Sequence, residues 1–107
     1  MIRRIVKMTF EPAACAQFQE VFEQSKAKIR AFPGCRFLEL WRCKSPDNIF
    51  MTYSHWDSEE ALEAYRHSTL FKTTWAKTKP LFSDRPEAWS LDLESSTKQA
   101  QDDDITG

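Results

Sequence analysis

The chain has 107 residues, 41% of them hydrophobic and 13% aromatic, with a formal net charge of −1. That length fits one domain, and acidic and basic residues are interspersed rather than gathered into the basic stripe that marks a nucleic-acid surface. No apolar run approaches the ~20 residues that span a bilayer, so neither nucleic acid nor membrane is an expected partner.

A domain of this size buries only roughly 60–70% of its unfolded surface. The aromatic share therefore points to extra burial, at a subunit interface or around a ligand. Met1 leads directly into a strand-like segment without the apolar core of a signal peptide, and the expectation is a cytoplasmic protein. Cys15, Cys35 and Cys43 lack CxxC spacing and read as reduced, mostly buried thiols. His55 and His67 are the only histidines, and their separation is not a metal-ligand spacing, so no metal site is expected. With two glycines in the chain, a glycine-rich phosphate loop is excluded.

Residues 2–10, IRRIVKMTF, alternate Val6, Met8 and Phe10 with Ile5, Lys7 and Thr9, the period of a strand. Residues 11–32 change period. Glu11 is a plausible cap, Pro12 suits a first helical position, and Phe18, Val21, Phe22, Ile29 and Phe32 form an amphipathic stripe. Pro33-Gly34 stops it. Residues 35–43 and 48–56 are two further strands, and the KSPD link between them predicts a hairpin. Asp57 is expected to cap a helix, with Glu60 completing a capping box and Ala61, Leu62 and Tyr65 facing inward. Ser68 is expected to cap a second short helix carrying Leu70, Phe71 and Trp75. The SDRPE link leads to a last strand, 88–93.

The order β-α-β-β-α-β, with its second helix split, predicts an α+β ferredoxin-like fold: an antiparallel sheet with helices on one face. The domain is expected over residues 1–94. Residues 95–107 offer one aliphatic side chain, Ile105, and an acidic triplet, and read as a solvated tail.

Helices on one face leave the other face of the sheet open, and here both faces are apolar. Phe50 and Trp56 alternate with Ile49, Met51 and Tyr53, and Phe37 and Trp41 alternate with Leu38 and Leu40. An apolar face of that size calls for a partner, and the economical one is a second copy, a two-fold homodimer stacked sheet on sheet. His55 then points to the dimer side if Trp56 points inward.

The segments FPGCRFLELWR and PDNIFMTYSHWDSEEALEAYRHSTLF resemble the antibiotic biosynthesis monooxygenase family. The likeness rests on a PGC-type turn, a strand ending in W-x-S, then E-A-L and S-x-x-F, and covers about residues 1–93. It implies a dimeric α+β barrel with a pocket inside each protomer, between sheet and helices, and the Trp56 side chain turned inward. Some family members oxygenate quinol- or anthrone-like aromatics without a cofactor, because an electron-rich anion passes an electron to O2 itself. Others degrade haem with an inward Asn on the first strand and a His on the helix after S-x-x-F. In this chain those positions fall near Met8 and on Trp75, and no Asn precedes Asn48. An indole nitrogen is a donor only and cannot bind iron, and His67 lies eight residues before Trp75, so the haem reading loses both motif residues.

The resemblance thus implies a cofactor-independent monooxygenase for a small aromatic or quinol-like compound, with a pocket drawn from Met8, Trp56, Tyr65, Phe71 and Trp75, and His67 near it. The rival expectation is a non-catalytic dimeric module that binds a small metabolite. The same aromatics also read as plain core packing, and no Ser-His-Asp, Cys-His or paired-carboxylate arrangement follows from spacing.

Overall fold

The structure, a computed structural model, describes residues 1–98. Four strands, β1 (Ile2–Thr9), β2 (Cys35–Arg42), β3 (Ile49–Trp56) and β4 (Glu87–Leu91), form one sheet in the order β2-β3-β1-β4, with every neighbouring pair antiparallel. Helices α1 (Cys15–Arg30), α2 (Glu59–Arg66) and α3 (Thr69–Thr78) complete the α+β ferredoxin-like arrangement.

Register decides what each face carries. Ile2, Arg4, Val6 and Met8 lie opposite Trp56, Ser54, Thr52 and Phe50, on the face the helices cover. Arg3, Ile5 and Lys7 lie opposite His55, Tyr53 and Met51 on the open face, where β2 adds Phe37 and Trp41 and β4 adds Trp89 and Leu91. On that open face Trp41, Trp89 and Leu91 remain 45%, 45% and 43% exposed.

The covered face holds two apolar clusters. Phe10, Phe18 and Phe50 interlock at the first, with the Phe10 and Phe18 rings stacked at 4.2 Å and Phe50 edge-on to both. Trp56, Cys35 and Leu62 form the second, with Phe32 and Tyr65 packed against them. The expected helical stripe is realised in α1, where Phe18, Phe22 and Ile29 are buried.

Several local details differ from expectation. The first helix opens with a 3-10 turn, Pro12–Ala14, and Glu11 flanks it without a side-chain cap. The cap of α2 is Ser58, whose Oγ accepts from the Ala61 amide at 3.1 Å, and not Asp57. The β2–β3 register shifts between Cys35 and Phe37, and Arg36, at that irregularity, grips both carboxylate oxygens of Asp57 at 2.7 Å each. That contact turns the Asp57 carboxylate toward Arg36, and the cap falls to Ser58. The same contact holds the Asp57 carboxyl below the usual carboxylate range.

Gly34, in the turn between α1 and β2, lies hard against Ala61 of α2. Its φ of 92° suits glycine alone, and a Cβ there would sit 2.5 Å from the Ala61 Cβ. Its carbonyl accepts from the Asp57 amide at 2.9 Å, so the chain leaving β3 is tied to the chain leaving α1.

The last strand runs Glu87–Leu91, starting one residue before the expected 88 and ending two residues before the expected 93, with Leu91 opposite Arg3. Cys15 and Cys35 are buried, while Cys43 is exposed. Of the expected tail, residues 95–98 are exposed, and the rest, 99–107, lies outside the described residues. Among those described, no helix is long and apolar enough to cross a membrane.

Candidate functional site

Between the covered face of the sheet and the three helices lies a cavity of about 350 Å³, at the small end of the size usual for ligand sites. Met8, Phe18 and Thr78 are buried and form its floor; Arg66 and Ala88 are exposed and mark its mouth. Met8, Trp56, Tyr65, Phe71 and Trp75 all line it. His67 does not: it is exposed at the end of α2, with Nδ1 2.9 Å from the Glu63 carbonyl of its own helix.

The wall is a continuous run of rings. Trp56 stacks on Tyr65 at 4.9 Å, Tyr65 meets Phe71 edge-on at 5.2 Å, and Phe71 stacks on Trp75 at 5.8 Å with an interplanar angle of 11°. Ser68 fixes this geometry. Its Oγ donates to the Tyr65 carbonyl at 2.6 Å and accepts from the Phe71 amide at 3.1 Å, capping α3 while locking the turn that relates the two rings. Trp56 serves wall and core together. It is 1% exposed, and its Nε1 donates to Ser54 Oγ at 3.0 Å, which satisfies a polar group that burial otherwise penalises.

Among the described residues no His, Cys, Asp or Glu lines the cavity, and its titratable groups there are Arg4, Tyr65 and Arg66. Burial, and secondarily the nearby Cys35, pushes the Tyr65 phenol up to about 12. It is therefore a neutral O–H donor at physiological pH, and that hydroxyl has no hydrogen-bond partner among the described residues. Arg4 donates from Nη1 to Ser90 Oγ at 3.0 Å. Burial lowers the Arg4 pKa, the adjacent Arg66 lowers it further, and Glu59 and Glu63 oppose that shift. Among the described residues, no group of three or more His, Cys, Asp or Glu side chains is arranged to hold a metal ion.

Arg4 and Arg66 were not among the residues expected to form the site. The signal for Arg4 was present in the alternation that put Val6 and Met8 on the inner face: residue 4 shares that face, and a charge there is out of pattern. Arg66, at the exposed end of a polar helix, offered none.

Comparison with known proteins agrees with this architecture. A candidate antibiotic biosynthesis monooxygenase from Caulobacter crescentus superposes with a TM-score of 0.82 at 26% identity, over 88% of this chain and 90% of that one. A conserved protein from Methanosarcina mazei (TM-score 0.82, 16% identity, 87% and 92% covered) and a candidate antibiotic biosynthesis monooxygenase from Nitrosomonas europaea (0.81, 12%, 87% and 98%) share the fold. No curated protein sequence matches this chain. The family model for antibiotic biosynthesis monooxygenases matches residues 1–77, and the chain belongs to that family.

Proposed function

We propose that this protein is a homodimeric, cofactor-independent monooxygenase that takes a small aromatic, quinol-like substrate into the cavity beside Trp56, Tyr65, Phe71 and Trp75. One observation carries this reading: a cavity walled by rings whose titratable groups are two guanidiniums and a neutral phenol. Among the described residues such walls offer no carboxylate, thiol or imidazole for nucleophilic or general-base work. They suit a substrate that supplies its own electrons. An ionised electron-rich aromatic gives one electron to O2, and the resulting radical pair combines to a peroxide. Its O–O bond then breaks, so that a CH2 becomes C=O and the second oxygen leaves as water with both hydrogens.

The protein's part is to exclude bulk water, hold the ring between aromatic faces, and stabilise the anion by donors already in place. The Tyr65 hydroxyl is one such donor. Tyr65→Phe removes it without changing the shape of the wall.

The dimer reading rests on the open face. Trp41 stacks on Tyr53 at 4.9 Å, and Phe37 and Tyr53 crowd His55, whose Nε2 is buried without a partner among the described residues. A second sheet laid on this surface covers the half-exposed tryptophans and brings polar atoms within reach of that nitrogen.

The test is oxygen consumption with a panel of dihydroxy-aromatics, anthrones and naphthols, without added metal, flavin or haem. Uptake above the uncatalysed rate for at least one compound supports the reading. Ligand binding with no acceleration on any compound replaces it with the non-catalytic binding module.

A further inference from the structure

We propose that the mouth of the cavity is an anion subsite, built from Arg4 and Arg66, and that the ligand is an aromatic acid whose fixed carboxylate sits there while its ring enters the aromatic wall. This rests on the pocket reading above and names the class of compound that pocket takes. It does not depend on whether the ligand is turned over.

Arg4 is the centre of the argument. It stands on β1 between Ile2 and Val6 on the covered face, a position that otherwise carries apolar side chains. Its backbone lies opposite Ser54 on one side and Ser90 on the other, two small neighbours that leave room for a long side chain to lie along the sheet. One guanidinium nitrogen is anchored by Ser90 Oγ at 3.0 Å. A guanidinium carries five N–H donors; no carboxylate lies within salt-bridge distance of this one among the described residues. A half-buried, anchored cation without a close counter-ion is normally compensated by a ligand or a partner charge.

Arg66 approaches from α2 and also lines the cavity. Its Nη1 pairs with Glu63 Oε2 at 3.0 Å, an exposed pair that holds the guanidinium at the mouth. Two like charges kept near one another raise each other's cost, and Glu59 and Glu63 relieve Arg4 only in part. A carboxylate between the two guanidiniums relieves both and is matched by the planar fork of Arg4. The neutral Tyr65 hydroxyl supplies a further donor deeper in the same cavity. Charge is thus read at the mouth and the ring at the wall.

The probes are 2-naphthoate and its uncharged isostere 2-naphthamide, titrated by calorimetry into wild type, Arg4→Gln and Arg4→Lys at low and moderate salt. The expected result is that wild type binds the acid about tenfold or more tighter than the amide, the scale of a charge-assisted hydrogen bond. Added salt should narrow that gap, Arg4→Gln should close it, and Arg4→Lys should keep part of it. Equal affinity for acid and amide overturns the anion subsite and leaves the aromatic pocket standing. A gap that persists in folded Arg4→Gln overturns the role of Arg4. Binding of neither compound overturns the subsite together with the pocket reading. Should Arg4→Gln fail to fold, the wild-type acid-to-amide ratio and its salt dependence decide alone: a ratio of one, or a ratio indifferent to salt, overturns the proposal.

Discussion

Replacing Tyr65 with Phe isolates one oxygen atom in the aromatic wall, and its effect on stability is calculable at two pH values. The folded protein holds the phenol at about 12 against an ordinary value of 10.0, mainly because burial disfavours the phenolate. A folded-state pKa raised above the unfolded one means that the native state holds its proton longer. The stabilisation is then fully present below pH 10 and is lost as pH rises from 10 toward 12. At pH 11 the loss is about 1.4 kcal/mol, half of the ~2.7 kcal/mol that two pKa units represent. Tyr65→Phe has no proton to lose and escapes it. Near pH 8 the substitution should be close to neutral, within about 0.5 kcal/mol, because the hydroxyl has no partner among the described residues to forfeit. Urea unfolding of both proteins at pH 8 and pH 11 gives the difference directly, and the buried Cys35 thiol, also pushed up by burial, largely cancels between them. Parallel loss of stability in the two proteins, or a penalty above 1 kcal/mol for the variant at pH 8, would refute a free, neutral hydroxyl in the cavity.

Trp75→Phe keeps the wall apolar but shortens the stack on Phe71, so affinity for a planar ligand should fall by roughly 0.5–1.5 kcal/mol with the fold intact; loss of stability with unchanged ligand response marks Trp75 as core alone. Gly34→Ala forces a Cβ into Ala61 at a φ of 92° and should cost at least 1–3 kcal/mol in chemical denaturation, whereas a neutral result means α2 moves freely against the turn. The His55 pKa is lowered from 6.5, first by burial and then by Arg3, against a weaker upward pull from Glu39. A depressed folded-state value gives stability that is present above pH 6.5 and lost as pH falls below it. Chemical denaturation should accordingly show stability falling between pH 7.5 and 5.5, and His55→Gln should flatten that response.

How much of this was readable in the sequence varied with the range of the interaction. The strands and helices followed from local periodicity, and the paired apolar faces of residues 49–56 followed from alternation alone. Ser68 was legible because a cap acts within three residues. Asp57 was misassigned for the same reason in reverse. Its true partner, Arg36, is 21 residues away, reached through a strand irregularity that no local pattern announces. The five cavity-lining positions were reached through family likeness; composition alone left them between core and pocket, and Trp56 is in fact both. Arg4 was visible as a charge out of phase with its strand, but its meaning depended on Ser90 from the far end of the chain and Arg66 from a helix. That convergence belongs to the tertiary structure.

The most direct test of the central claim is turnover under ¹⁸O2 with an electron-rich aromatic that binds the cavity, in protein freed of metals, flavin and haem. The account predicts a product carrying one oxygen-18 atom at the newly formed carbonyl, the other in water, at a rate above that without protein and reduced in Trp75→Phe. A compound that binds but is oxidised no faster than in buffer, or a product whose new oxygen comes from solvent, would contradict it.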